Sequence, residues 1–163
     1  MEDAGHWSDF FIAEVGAAAA LSGLVIVAIS INLQKILELP GVPSRGGEAL
    51  ILLLTSLLVC SIGLIPGQSM HQFGIEITGI GAIVGLASVI IQVNSYRVAK
   101  DQPAVRWMTR ITASTITLVP IVIGGVLIGS GDPGGFYWVA PGVLLALVAG
   151  VLNTWILLVE ILR

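Results

Sequence analysis

Five long apolar stretches, separated by short polar segments, follow one another along this chain. They comprise residues 10–33, 48–66, 73–95, 109–130 and 138–162. An α-helix rises about 1.5 Å per residue, so about 20 apolar residues cross the hydrocarbon core of a bilayer. The pattern predicts an all-α protein, a polytopic transmembrane bundle of five helices that forms a single domain over residues 1–163.

The segments between the apolar stretches carry turn-forming residues. The first connection contains Pro40 and Pro43, Pro66 closes the second stretch, and residues 131–135 have the sequence GDPGG. Proline and glycine at such positions end helices and favour tight turns. We therefore expect short connections with no further domain between the helices.

Composition agrees with a membrane protein. The chain is 56% hydrophobic and 10% charged, whereas soluble domains average about 25% charged residues. The net charge of −3 argues against a nucleic-acid partner. A phosphate-binding loop, a nucleophile elbow and a pair of catalytic acids are all missing from the sequence. We predict a protein that is not an enzyme and carries no cofactor.

The histidines and the cysteine are the remaining candidates for metal or redox chemistry. His6 and His71 could bind a divalent cation together with Asp9 or Glu76, but their spacing is not that of a metal site. Cys60 is the only cysteine and lies within a predicted span, so neither a disulfide nor a thiolate metal site follows from it. We predict no metal site.

The basic residues predict the orientation in the membrane. All of them fall in the first connection, in or beside the third connection, or at the C-terminus: Lys35, Arg45, Arg97, Lys100, Arg106, Arg110 and Arg163. The positive-inside rule then places the N-terminus outside and the C-terminus in the cytoplasm. We expect anionic lipid of the inner leaflet at Arg97, Lys100, Arg106 and Arg110, next to Tyr96 and Trp107.

On this topology the outer surface is acidic. The acids on the outer side are Glu2, Asp3, Asp9, Glu14, Glu76 and Asp132. A field of one sign concentrates counter-ions, so an entering cation would meet a favourable surface. The alternative interpretation is that outer loops lack basic residues only because the topology requires it.

Polar residues within the spans are candidate sites, because they are costly in lipid. The candidates for a pore or a polar face are Glu14, Asn32, Glu76, Gln92 and Asn153. Glu14 would face protein, water or an ion, or take up a proton. The alternative is that it lies one turn below the surface and reaches up to water. Asn153 is equally compatible with a structural hydrogen bond between helices.

Small residues recur at helical spacing and predict close contacts between helices. The predicted packing residues are Gly16, Gly23, Gly81, Gly85, Gly142, Ala146 and Gly150. So many small faces on so short a chain favour a homo-oligomer in which one face is used between copies.

Pro120 lies within the fourth span and predicts a kink. It is either a hinge or a proline that the helix tolerates.

Residues 7–37, 39–54 and 64–69 resemble a group of small multi-pass integral membrane proteins of bacteria, chiefly of actinobacterial type. The resemblance covers mainly the first two spans. It implies the inner (plasma) membrane of a bacterium and provides no catalytic residue to carry over.

Two functional hypotheses follow from the sequence. The first is a homo-oligomeric, channel-like permeation pathway that favours cations, based on the acidic outer side, Glu14 and the small-residue faces. The second is an accessory or regulatory subunit of a larger bacterial membrane complex, based on the absence of chemical motifs and the short loops. A cavity that binds lipid or a small molecule is a third alternative.

Overall fold

The computed structural model describes residues 3–38, 42–98 and 104–162, and within these ranges it is helical. The elements are α1 (Asp3–Ile31), α2 (Leu33–Glu38), α3 (Val42–Gly63), α4 (Met70–Val98), α5 (Ala104–Gly129), a 3-10 helix (Pro133–Gly135) and α6 (Phe136–Leu162). Five of them, α1 and α3 to α6, are long and apolar enough to cross a membrane. The prediction of an all-α chain with five candidate spans is confirmed.

The helices begin earlier than predicted: α1 at Asp3 instead of residue 10, and α5 at Ala104 instead of residue 109. α3 begins at Val42 instead of residue 48 and ends at Gly63 instead of residue 66. Pro43 is the second residue of α3, where a missing N–H costs nothing because the first turn has no intrahelical acceptor for it. The turn that follows α3 includes Gly67 at φ 76°, a conformation that glycine adopts without strain. The short helix α2 is not predicted by the hydrophobic pattern.

Helices α3, α4, α5 and α6 form a closed four-helix bundle. α3 packs on α6, α6 on α5, α5 on α4, and α4 on α3. α1 lies outside this bundle against α3 and has few contacts with α6. Most of the α1 surface is therefore free of the rest of the chain.

The two ends of the bundle differ in chemistry. At one end the start of α1 meets the start of α6, where Trp7 stacks on Phe136; we call this the aromatic end. The other end contains α2 and the start of α3 with Lys35 and Arg45, and we call it the basic end. The backbone of Arg97, Arg106 and Arg110 is helical at this end.

The buried core changes from apolar to polar between these ends. Toward the aromatic end it consists of Val59, Cys60, Phe73, Ile77, Ile121, Ile128, Val139 and Val143, with Phe11 of α1. In the half toward the basic end the buried residues include Arg45, Glu48, Ser88, Gln92, Ser95 and Thr154. Thr55, Ser56 and Thr117 are buried as well, so the apolar half also contains hydroxyl groups.

Candidate functional site

Glu14 is half-buried on α1, one turn from Phe10 and Phe11. Its Oε2 atom is buried and has no hydrogen-bond partner in the described chain. The carboxylate is also within electrostatic reach of the buried Cys60 thiol on α3. An unpaired buried acceptor is costly, and more so in a membrane span. Among the polar candidates, Glu14 is therefore the one with a buried oxygen that lacks a hydrogen-bond partner in the described part of the chain.

An open groove begins about two turns along α1 from Glu14. This groove, of about 250 Å³, runs between α1 and α6 and is lined by Leu21, Leu24, Val25, Ala28, Val151, Thr154, Trp155 and Leu158. With 3.6 residues per turn, Glu14 is on the side of α1 that carries Leu21 and Val25, and Asn32 follows the last residue of α1. Asn32 donates its Nδ2–H to the carbonyl of Ala28 at 3.0 Å.

Gln92 connects α4 to α5. Its Nε2 donates to Ser114 Oγ at 3.1 Å, and Ser88 and Ser95, one turn away on either side, are buried with it. A hydrogen bond between helices in a bilayer contributes on the order of 0.6 kcal/mol. Gln92 thus joins two helices inside the bundle and does not border the groove.

Glu76 and Asn153 lie apart from Glu14 and from each other. Glu76 is exposed at the aromatic end and accepts a hydrogen bond from Gln68 Nε2. Asn153 is half-buried on α6 beside Thr154. The five polar candidates therefore do not form one cluster in a single chain.

The small residues divide into packed and open ones. A Cβ atom added to Gly81, Gly142 or Gly150 would collide with Val122, Ile121 or Leu53 respectively, and Ala146 is fully buried. Gly16, Gly23 and Gly85 have no atom of another helix within 4 Å of that position. The packing prediction for these three glycines can apply only to contacts between chains.

Pro120 lies inside α5, as predicted, and Pro141 lies inside α6. Proline at position 120 has no N–H for the carbonyl of Ile116. Nearby, Thr117 Oγ1 donates to the carbonyls of Ala113 and Ser114, both at 2.9 Å. This hydroxyl therefore bonds to the turn before the proline and not to the carbonyl of Ile116. The hinge stays a prediction.

An ion pair connects α3 to α6 at the basic end. Arg45 Nη1 is 3.1 Å from Glu160 Oε2, and the two side chains are 10% and 28% exposed. Glu48, one turn further along α3, is 4% exposed. Sequence analysis missed these residues, because it placed Arg45 in a connection and Glu48 at the first position of a span. Arg45 and Glu48 are spaced so that they share a helical face with Leu52 and Thr55. This spacing could have indicated that both charged residues are buried.

The predicted contacts with inner-leaflet lipid fall mainly on residues whose side chains the structure does not describe. Arg97, Arg106 and Arg110 have described backbones only, and Lys100 and Arg163 lie outside the described residues. The lipid contact stays a prediction.

Two further findings bear on the site. In the described part of the chain, no three His, Cys, Asp or Glu side chains are grouped so that they could hold a metal ion. Searches of family models, curated proteins and solved structures give no match to this chain. The function therefore has to be argued from the site itself.

Proposed function

We propose that this membrane protein is a homo-oligomer that forms a cation-favouring permeation pathway between its copies. The observation that carries the proposal is the position of Glu14. This ionisable residue of a span has a buried oxygen without a hydrogen-bond partner in the described part of the chain. An intramembrane carboxylate of this kind belongs beside protein, water or an ion rather than lipid.

The closed core supports a pathway between copies over one through each chain. Val59, Ile121 and Val143 are all fully buried in the apolar half of the bundle. A hydrated ion would have to separate these side chains to pass. A second copy against the exposed surface of α1 would instead leave each core intact.

The exposed surface of α1 supports the oligomer. Leu24 and Val27 are exposed on α1, and Gly16 and Gly23 face open space. In a bilayer, where lipid removes the hydrophobic driving force, small residues allow helices to approach closely and gain van der Waals contact. The face that contains Gly16 and Gly23 is the part of α1 that a neighbouring helix can approach most closely.

The sign of the charges supports cations. In the described part of the aromatic end the charged side chains are Asp9, Glu76 and Asp132, with no Lys or Arg among them. Their negative potential raises the local concentration of cations and lowers that of anions. Glu14, one turn below Phe10, would be a further negative charge for a cation that enters from this end.

The experiment is cation flux into liposomes that contain the purified protein, after its oligomeric state has been measured by native mass spectrometry. We expect a symmetric homo-oligomer whose K⁺ flux falls several-fold in Glu14→Gln and is largely retained in Glu14→Asp. Glu38→Gln is the matched control, because Glu38 is an exposed carboxylate on α2, away from the groove.

Two results would overturn the proposal. One is an assembled oligomer that passes no more K⁺ than liposomes without protein. The other is a flux that Glu14→Gln and Glu38→Gln lower to the same extent.

An accessory subunit of a larger complex is the second candidate. Its support is the shortness of the described connections, residues 64–69 and 130–135, which leave no room for a further domain. The exposed α1 surface would then be covered by a different chain. Gentle extraction would recover that chain with the protein, and native mass spectrometry would detect it.

For the cellular location, we propose the inner membrane of a bacterium. The support is the resemblance of residues 7–37 and 39–54 to small bacterial membrane proteins, together with the five candidate spans.

A further inference from the structure

A cavity of about 540 Å³ opens at the aromatic end, between the start of α1, the connection 64–69, the start of α4 and the start of α6. We call it the aromatic cavity. Five of its wall residues are aromatic: Trp7, Phe11, Phe73, Phe136 and Tyr137. Its size lies within the range of ligand pockets, about 300 to 1,000 Å³.

The aromatic rings hold one another in place. Trp7 stacks on Phe136 with ring centroids 5.3 Å apart, and Tyr137 meets Trp7 edge-on at 5.1 Å. Phe73 stacks on the same Phe136 ring at 5.8 Å and contacts Phe11. Such pairs contribute about 0.5 to 1.5 kcal/mol each beyond their burial. The wall is thus arranged before any ligand arrives, which lowers the entropy cost of binding.

The charges around the cavity are negative, and each adjoins a residue of its wall. Glu76 accepts a hydrogen bond from Gln68, and Asp132 Oδ1 accepts one from Gly134 N at 2.8 Å. Gln68 and Gly134 both line the cavity, as does Ser8, which precedes Asp9. His71 is also at this end, where its Nδ1 lies 2.7 Å from the carbonyl oxygen of Gly129.

We propose that the aromatic cavity binds a small organic cation with an alkylated nitrogen, of the quaternary ammonium class. The face of an aromatic ring attracts a cation, and cages of several rings recognise quaternary ammonium groups in this way. The surrounding carboxylates add a longer-range attraction, and the apolar wall accepts the methyl groups. A compact metal ion would lose its hydration shell here without gaining a charged ligand, because the described lining of the cavity contains no Asp, Glu, His or Cys. The site does not depend on the proposed permeation pathway.

The test is binding to the full chain in nanodiscs of phosphatidylethanolamine and phosphatidylglycerol, which contain no quaternary ammonium, with empty nanodiscs as blank. The probes are choline, phenyltrimethylammonium and dimethylbutanol, the uncharged carbon isostere of choline. Fluorescence of Trp7 is followed in a variant with Trp107→Phe, Trp138→Phe and Trp155→Phe, and affinities are measured by calorimetry on the natural sequence. We expect saturable binding of both cations and at least tenfold weaker binding of dimethylbutanol.

Substitutions at the rim of the aromatic cavity distinguish residues that line it from residues that only lie nearby. Tyr137 is 71% exposed, so Tyr137→Leu should lower the affinity for phenyltrimethylammonium several-fold without unfolding the bundle. Trp138→Leu is the matched control, because the next aromatic residue is exposed at the same end but does not line the cavity. Glu76→Gln should weaken binding of the cations more at low salt than at high salt.

Equal affinities for choline and dimethylbutanol would overturn the proposal, because the cavity would then select for shape and not for charge. So would the absence of saturable binding, or equal losses in Tyr137→Leu and Trp138→Leu.

Discussion

Arg45 places a cation on α3, and Glu160 places an anion on α6. Each would be costly alone in a membrane span, and their contact at 3.1 Å connects the start of α3 to the end of α6. Replacing a buried pair with apolar residues is often neutral, whereas removing one partner leaves a charge uncompensated. The pair therefore matters to stability mainly because each of the two charges has a partner of opposite sign.

At the scale of single residues we predict that Arg45→Leu lowers the free energy of unfolding by about 1 to 3 kcal/mol, because Glu160 loses the guanidinium beside it. The double variant Arg45→Leu/Glu160→Leu should recover part of that loss. Unfolding in mixed detergent, monitored by circular dichroism, measures all three variants. Lys35→Leu, on an exposed residue of α2, is the control and should change stability by less than about 0.5 kcal/mol. Equal losses in Arg45→Leu and Lys35→Leu would contradict the prediction.

The contact between α4 and α5 depends on glycines that face each other. A Cβ atom on Gly74 would overlap the backbone of Gly129 and approach the carbonyl oxygen of Gly125, and one on Gly125 would meet Thr78. Backbones this close gain van der Waals contact, which is the main attraction between helices in lipid. No side chain larger than hydrogen fits at Gly74 unless the helices separate.

At the scale of the element we predict that Gly74→Ala lowers the free energy of unfolding by about 1 to 3 kcal/mol, as overpacking does in other cores. Gly79→Ala is the matched control on the same helix, because Gly79 has open space around it. Alanine favours a helix over glycine by up to about 1 kcal/mol, so this control should be neutral or slightly stabilising. Thermal unfolding in detergent distinguishes the two variants, and a Gly74→Ala protein as stable as the Gly79→Ala protein would show that the helices move apart freely.

The whole molecule has two unlike ends. Acidic and aromatic side chains surround one end, and Lys35 and Arg45 lie at the other. The positive-inside rule predicts that the basic end faces the cytoplasm. Every proposal about the direction of cation entry depends on this orientation.

At this scale we predict how single cysteines react in intact cells. In a Cys60→Ser background, Ser69→Cys in the connection between α3 and α4 should react with a membrane-impermeant maleimide added outside. Gln34→Cys on α2 should react only after the membrane is opened. Both residues are exposed, so accessibility within the protein does not decide the result. The reverse pattern would invert the topology.

The helical spans could be predicted from the sequence because length and hydropathy are properties of a continuous segment. Residues 73–95 lie within α4, and residues 109–129 of the next predicted span lie within α5. The start of α3 could not be predicted in this way, since Pro43 belongs to its first turn and the turn residues around it favour a connection. That shift of the helix start is why Arg45 and Glu48 were not recognised as buried residues.

From the sequence alone, the same prediction of helix packing applies to Gly16, Gly23, Gly81 and Gly142. The structure separates them, because Gly81 and Gly142 face other helices whereas Gly16 and Gly23 face outward. Similarly, Gln92 and Glu14 are both polar residues of a span, yet Gln92 has Ser114 as a partner and Glu14 Oε2 has none in the described chain. Their surroundings depend on how each helix is rotated against its neighbours.

The sequence alone determined that this protein has five apolar helices of membrane-spanning length, because hydrophobic transfer and helix formation depend on neighbouring residues. The tertiary structure decided which helices touch, which charges pair, and where the core is polar. Arg45 and Glu160 are 3.1 Å apart only because α3 and α6 pack together. Such contacts join distant segments, and their geometry follows from the packing of whole helices.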